Sequence, residues 1–89
     1  MNINDIEMYQ ATSIELVLNQ KVDSFFQNPK VELLVFQAST NKNSNNWKLI
    51  CSIEELIIVI RKNIAVGQIK RALKLMVVLE CMMEKIQKE

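Results

Sequence analysis

Six apolar residues near the end of the chain, Ile69, Ala72, Met76, Leu79, Met83 and Ile86, recur at spacings of 3, 4, 3, 4 and 3. That alternation is the seam of a packed helix, sustained for about two and a half heptads. Leu75, Val78 and Met82 form a second stripe beside it. A helix that is apolar over more than half its circumference needs cover on two sides. Its own domain supplies one. The second is expected to be another subunit, either a second copy in a homodimer or a different protein. The pattern predicts a helix over Gln68–Gln87, the longest in the chain. Its expected interface is Ile69, Ala72, Leu75, Met76, Val78, Leu79, Met82, Met83 and Ile86.

The rest of the chain has to supply the cover. Ala11, Ile14, Leu18, Val22 and Phe25 lie on one helical stripe, so a helix is expected over residues 12–27. Thr12 with Glu15 makes a candidate capping box at its start, although Ile6 and Tyr9 extend the same face and allow a start near Asp5. Pro29 requires a stop before it. Ser52-Ile53-Glu54-Glu55 is a second capping box with acids in the first turn, and predicts a helix from Ile53 to about Asn63. On that reading Ser52→Ala removes a helix cap. The run Leu56–Ile60 is apolar throughout and predicts a helix buried on most sides. Asn63 and Gly67 flank the break before the last helix, and both residue types tolerate a left-handed backbone.

Val31–Ser39 admits two readings. Val31, Leu34, Val35 and Ala38 suit a helix opened by Asn28-Pro29. The same run is rich in strand formers. It precedes a polar stretch, Thr40–Asn46, rich in the turn residues Asn and Ser, and then Trp47–Cys51. Two extended runs around an Asn-rich loop predict a β-hairpin. The expected fold is therefore α+β and mainly helical, helix–β-hairpin–helix–helix, in a single small domain over residues 1–89. A bundle of four helices is the alternative.

Chemistry has little to work with. The 89 residues include no histidine, one glycine and one proline. Without histidine there is no Ser-His-Asp unit and no histidine-based metal site. Gly67 alone cannot build a glycine-rich phosphate loop. Cys51 and Cys81 lie in apolar surroundings with no CxxC spacing, and are expected to be free thiols in the core. Trp47 and Phe25-Phe26 are expected core anchors. Glu54 and Glu55 are adjacent and point apart on a helix, which suits a first turn rather than acid–base catalysis. No enzyme activity, cofactor, metal or small-molecule ligand is expected. Met1–Ala11 carries Asp5 and Glu7 with no apolar core, and Lys70, Arg71, Lys74 and Glu80 interrupt the most apolar stretch. A cytoplasmic protein that does not enter a membrane is the expectation.

Net charge is +1, but it is unevenly spread. Residues 1–55 carry four basic and seven acidic side chains, whereas residues 56–89 carry seven basic and three acidic. Arg61, Lys62, Lys70, Arg71 and Lys74 form a candidate nucleic-acid patch around the last break. Two helices joined by a short Gly-containing turn, with basic residues opening the second, resemble a helix-turn-helix. Lys62 departs from it by standing where that motif takes an apolar residue. The order Trp47–Cys51, Ile53–Asn63, Gln68–Gln87 resembles a ribbon-helix-helix dimer, which implies a strand from each subunit in the major groove. The favoured reading is a non-catalytic interaction module, an adaptor, chaperone or regulator that binds another protein through its last helix. A dimeric DNA-binding regulator is the second reading.

Overall fold

The computed structural model describes residues 3–88, with side chains for 10–88. Four helices follow one another: α1 (Ile3–Gln27), α2 (Pro29–Ser39), α3 (Asn45–Ala65) and α4 (Ile69–Gln87). There is no strand among the described residues, so the four-helix alternative holds and the β-hairpin does not. The strand required by a ribbon-helix-helix is accordingly missing as well. At 19 residues α4 is shorter than α1 and α3, which have 25 and 21.

Local capping explains why the hairpin fails to form. The Asn28 side chain accepts a hydrogen bond from the Lys30 amide at 2.9 Å, and Pro29 occupies the first turn, where its missing N–H costs nothing. Val31–Ser39 is thereby nucleated as helix, and the strand preference of its valines is overridden. Ser44 does the same for α3, its hydroxyl accepting from the Trp47 amide at 3.2 Å. The helix begins at Asn45, eight residues before the Ile53 start inferred from the sequence, and swallows Trp47–Cys51. Ser52 is consequently no cap. It sits within α3, its hydroxyl donating to the Lys48 carbonyl at 2.9 Å. Thr12 also lies inside a helix, because α1 is already helical at Ile3. The side chains of Ile6 and Tyr9 fall outside the described set.

Helices α3 and α4 form an antiparallel hairpin. Between them the chain turns at Val66–Gln68, with Gly67 in the left-handed region at φ 80°. Ile50, Ile53, Ile57, Ile60 and Ile64 make a 3–4 spaced stripe on α3, and Ala72, Met76, Leu79, Met83 and Ile86 make its counterpart on α4. These ten are buried; among the described residues only Leu18, Phe25, Val31 and Ala38 join them as buried core from the other two helices. Helix α1 runs in the same direction as α4. Gln10 and Ser13 face the start of α4, Lys21 pairs with Glu80, and Asn28 lies beside Gln87. Helix α2 sits where α1 and α4 end, its Lys30 ammonium donating to the Gln87 carbonyl.

The result is thin and long. Its extents are 51 × 22 × 17 Å and its radius of gyration is 14.9 Å, against about 12 Å for a compact chain of this length. Phe25 is buried with Phe26 edge-on at 5.0 Å, as anchors should be. Trp47 is only half-buried, with the Lys42 ammonium 5.7 Å above its ring. The cysteines correct the expectation of core thiols: Cys51 is half-buried and Cys81 exposed, and both are free.

Two substitutions separate this capping scheme from the one inferred from sequence. Ser44→Ala should cost about 0.5–2 kcal/mol, whereas Ser52→Ala should stay within about 0.5 kcal/mol, both read as shifts in chemical denaturation midpoints. A larger loss at Ser52 than at Ser44 would contradict the observed start of α3. Gly67→Ala meets no atom within 4 Å, so its cost should be conformational alone, about 1–2 kcal/mol.

Candidate functional site

Ala72, Met76, Leu79, Met83 and Ile86, the inner half of the nine-residue interface inferred from sequence, are buried within the chain beneath α3. Ile69 is half-buried at the groove against α1. The remaining three, Leu75, Val78 and Met82, lie on the flank of α4: Leu75 and Met82 are half-buried and Val78 is 48% exposed. Of these three Val78 is open to solvent, and Leu75 and Met82 are available in part because they also pack against the core.

Helical geometry settles which neighbours share that flank. With about 3.6 residues per turn and the two helices antiparallel, α1 covers the side of the hairpin that carries Arg61, Leu73 and Glu80. The Arg61 guanidinium confirms this by donating to the Asn19 side chain of α1 at 3.2 Å. The opposite side carries Leu56 and Val59 of α3 and the Leu75/Val78/Met82 stripe of α4. Leu56 is half-buried and Val59 exposed. The apolar run Leu56–Ile60 predicts burial on most sides. In the fold only Ile57 and Ile60 of that run are buried. The signal for the difference is the isoleucine stripe itself, since Leu56 and Val59 stand off its 3–4 spacing.

The five residues of the nucleic-acid patch are all exposed and all lie near the turn end of the hairpin. They do not converge on one face. Arg61 points to α1, Lys70 lines the groove between α1 and α4 with Gln10 and Ser13, and Lys62 closes the last turn of α3. Arg71 and Lys74 lie towards the Leu75/Val78 side. Helices α3 and α4 are buried against each other along their whole length, whereas a helix-turn-helix crosses at about 90–120°. Lys85, which the sequence reading did not single out, belongs with Arg71: Arg71, Val78 and Lys85 are seven residues apart and share one flank, as do Leu75 and Met82.

Polar side chains on the α3 edge of this face are occupied locally. The Asn63 amide donates to the Val59 carbonyl at 2.8 Å, and Ser52 is bonded to Lys48. Among the described residues the one side-chain ion pair is Lys21–Glu80, on the other side of the hairpin. Elsewhere, Leu33 and the 70% exposed Phe36 form a smaller apolar pair one turn apart on α2. No three His, Cys, Asp or Glu side chains of the described residues are grouped as a metal site would require. No described helix is long and apolar enough to cross a membrane.

No family model, no curated protein and no solved structure matches this chain.

The two sides of α4 should respond differently to substitution. Leu79→Ala, in the seam, should cost about 2–5 kcal/mol. Val78→Asp, one residue away on the open flank, should change stability by no more than about 0.5 kcal/mol in the same denaturation assay. A comparable large loss for both would place Val78 in the core.

Proposed function

We propose that the chain is a small non-catalytic interaction module, an adaptor, chaperone or regulator that acts by binding another protein. The flank of α4 carrying Leu75, Val78 and Met82, with Leu56 and Val59 of α3 beside it, is the binding surface. The supporting observation is that Val59 and Val78 stay exposed, and Leu56, Leu75 and Met82 only half-buried, after α4 has filled its seam with α3. Contiguous apolar surface of this kind marks interaction sites, and leaving large side chains in water forfeits roughly 1.5–3 kcal/mol for each that a partner would bury fully. The partner is a second copy or a different protein, and free thiols at Cys51 and Cys81 suit action in the reducing cytoplasm.

The basic turn end supports a second reading, a dimeric DNA-binding regulator. Against it stand the net charge of +1 and the spread of Arg61, Lys70 and Arg71 over different sides of the hairpin. Phosphate neutralisation supplies most non-specific affinity, and this arrangement offers little of it.

The test compares the native chain with Val78→Asp in sedimentation equilibrium and in pull-downs from the source cells, with and without nuclease. The expected result is self-association or a nuclease-resistant protein partner that Val78→Asp abolishes while the helical circular-dichroism signal is kept. Capture lost on nuclease treatment and on Arg71→Ala would favour the DNA regulator instead. No difference between the native chain and Val78→Asp in either assay would contradict the proposed surface.

A further inference from the structure

The open flank carries charge as well as apolar surface. Arg71, Lys74 and Lys85 border the Leu75/Val78/Met82 stripe on the α4 edge, and all three are exposed. On the α3 edge, Ser52 and Asn63 are bonded to their own backbone and offer no counter-charge. The rim is therefore positive along its α4 edge, while on α3 the exposed Glu55 stands one turn before Val59, behind the uncharged Ser52 and Asn63.

The fold itself contains an example of what such a hairpin takes. On its other side, the two-helix groove receives a helix, α1, with apolar residues Leu18 and Phe25 turned inward and an ion pair across the edge, Lys21 to Glu80. The open side has the same two-helix form. Leu56, Leu75 and Met82 are half-buried between helices rather than standing proud. Two helices packed side by side leave a shallow furrow along their junction, and a rod fits such a line better than a flat bilayer does.

We infer that the open side of the α3–α4 hairpin docks an amphipathic helix of a partner protein, with acidic residues along the edge that meets α4. This rests on the proposed binding function and specifies its partner. From Arg71 to Lys85 the basic edge is about 21 Å long, so the partner helix has about four turns and carries Asp or Glu near both ends. Its apolar stripe lies along Leu75, Val78 and Met82.

The test uses three designed helical peptides of four to five turns with one identical leucine stripe. Their flanking columns are glutamate, lysine or glutamine, and binding to the full chain is followed by fluorescence anisotropy at low and high salt. The glutamate peptide should bind roughly tenfold tighter than the glutamine peptide at low salt, the sum of three exposed ion pairs. The gap should narrow with salt. It should reverse towards the lysine peptide in Arg71→Glu/Lys74→Glu/Lys85→Glu, while Val78→Asp weakens all three. Equal binding of the three peptides by the native chain overturns the acidic partner and leaves the apolar docking surface standing. Binding that Val78→Asp leaves untouched, or no binding of any peptide, overturns both. Sedimentation showing a stable dimer dissociated by Val78→Asp assigns the furrow to a second copy. Binding to vesicles containing anionic lipid, lost on Val78→Asp and unopposed by the glutamate peptide, assigns it to a membrane surface. Either result contradicts the partner helix.

Discussion

Everything in this fold hangs on the seam between α3 and α4. Five isoleucines of α3 meet Ala72, Met76, Leu79, Met83 and Ile86 of α4, and ten of the buried side chains are spent there. The two stripes have the same 3–4 period, so antiparallel helices can stay in register along their length. Isoleucine is stiff in a helix and methionine is adaptable. A rigid face against a yielding one fills space without demanding a single jigsaw fit. The turn that joins them depends on Gly67, the one residue type that takes φ 80° freely.

The other two helices add less to the core. Helix α1 contributes Leu18 and Phe25 as buried residues of its described side chains, and α2 contributes Val31 and Ala38. Their polar ties, Arg61–Asn19 and Lys21–Glu80 for α1 and Lys30–Gln87 for α2, lie at the surface, where such contacts contribute little. Covering only one side of the hairpin keeps the molecule thin, 17 Å in its shortest extent. The uncovered side is a consequence of having four helices and one seam, and a binding function needs no further device than that.

How much of this was legible depended on whether local and long-range signals agreed. For α4 they agreed: the seam from Ala72 to Ile86, the break at Gly67 and the helix end stand in the sequence as they do in the fold, and Ile69 alone leaves the seam for the groove against α1. For α3 they conflicted. Ser52-Ile53-Glu54-Glu55 satisfies a capping-box pattern, yet the chain is already helical there because Ser44 caps first. Ile50 is three residues before Ile53 and belongs to the same stripe, a signal masked by the strand preference of Trp47–Cys51. In α2 the Asn28-Pro29 start outweighed the β-branched content of Val31–Ser39. At the site, the stripe of Leu75, Val78 and Met82 was visible from spacing. Its separation from the seam was not, because nothing in α4 alone says that α3 takes one side and leaves the other. Lys85 was missed for the same reason, since its link to Arg71 appears only once that flank is defined.

Both the fold and the open flank require that α4 fills its seam from within the same chain. Isotope-filtered NMR on a mixture of labelled and unlabelled chains measures this directly. Cross-peaks between isoleucine methyls of α3 and methionine methyls at Met76 and Met83 should appear within one labelled chain and be absent between chains. Cross-peaks for these pairs only between chains would show that the seam is an intermolecular interface, and would contradict the fold and the binding surface together.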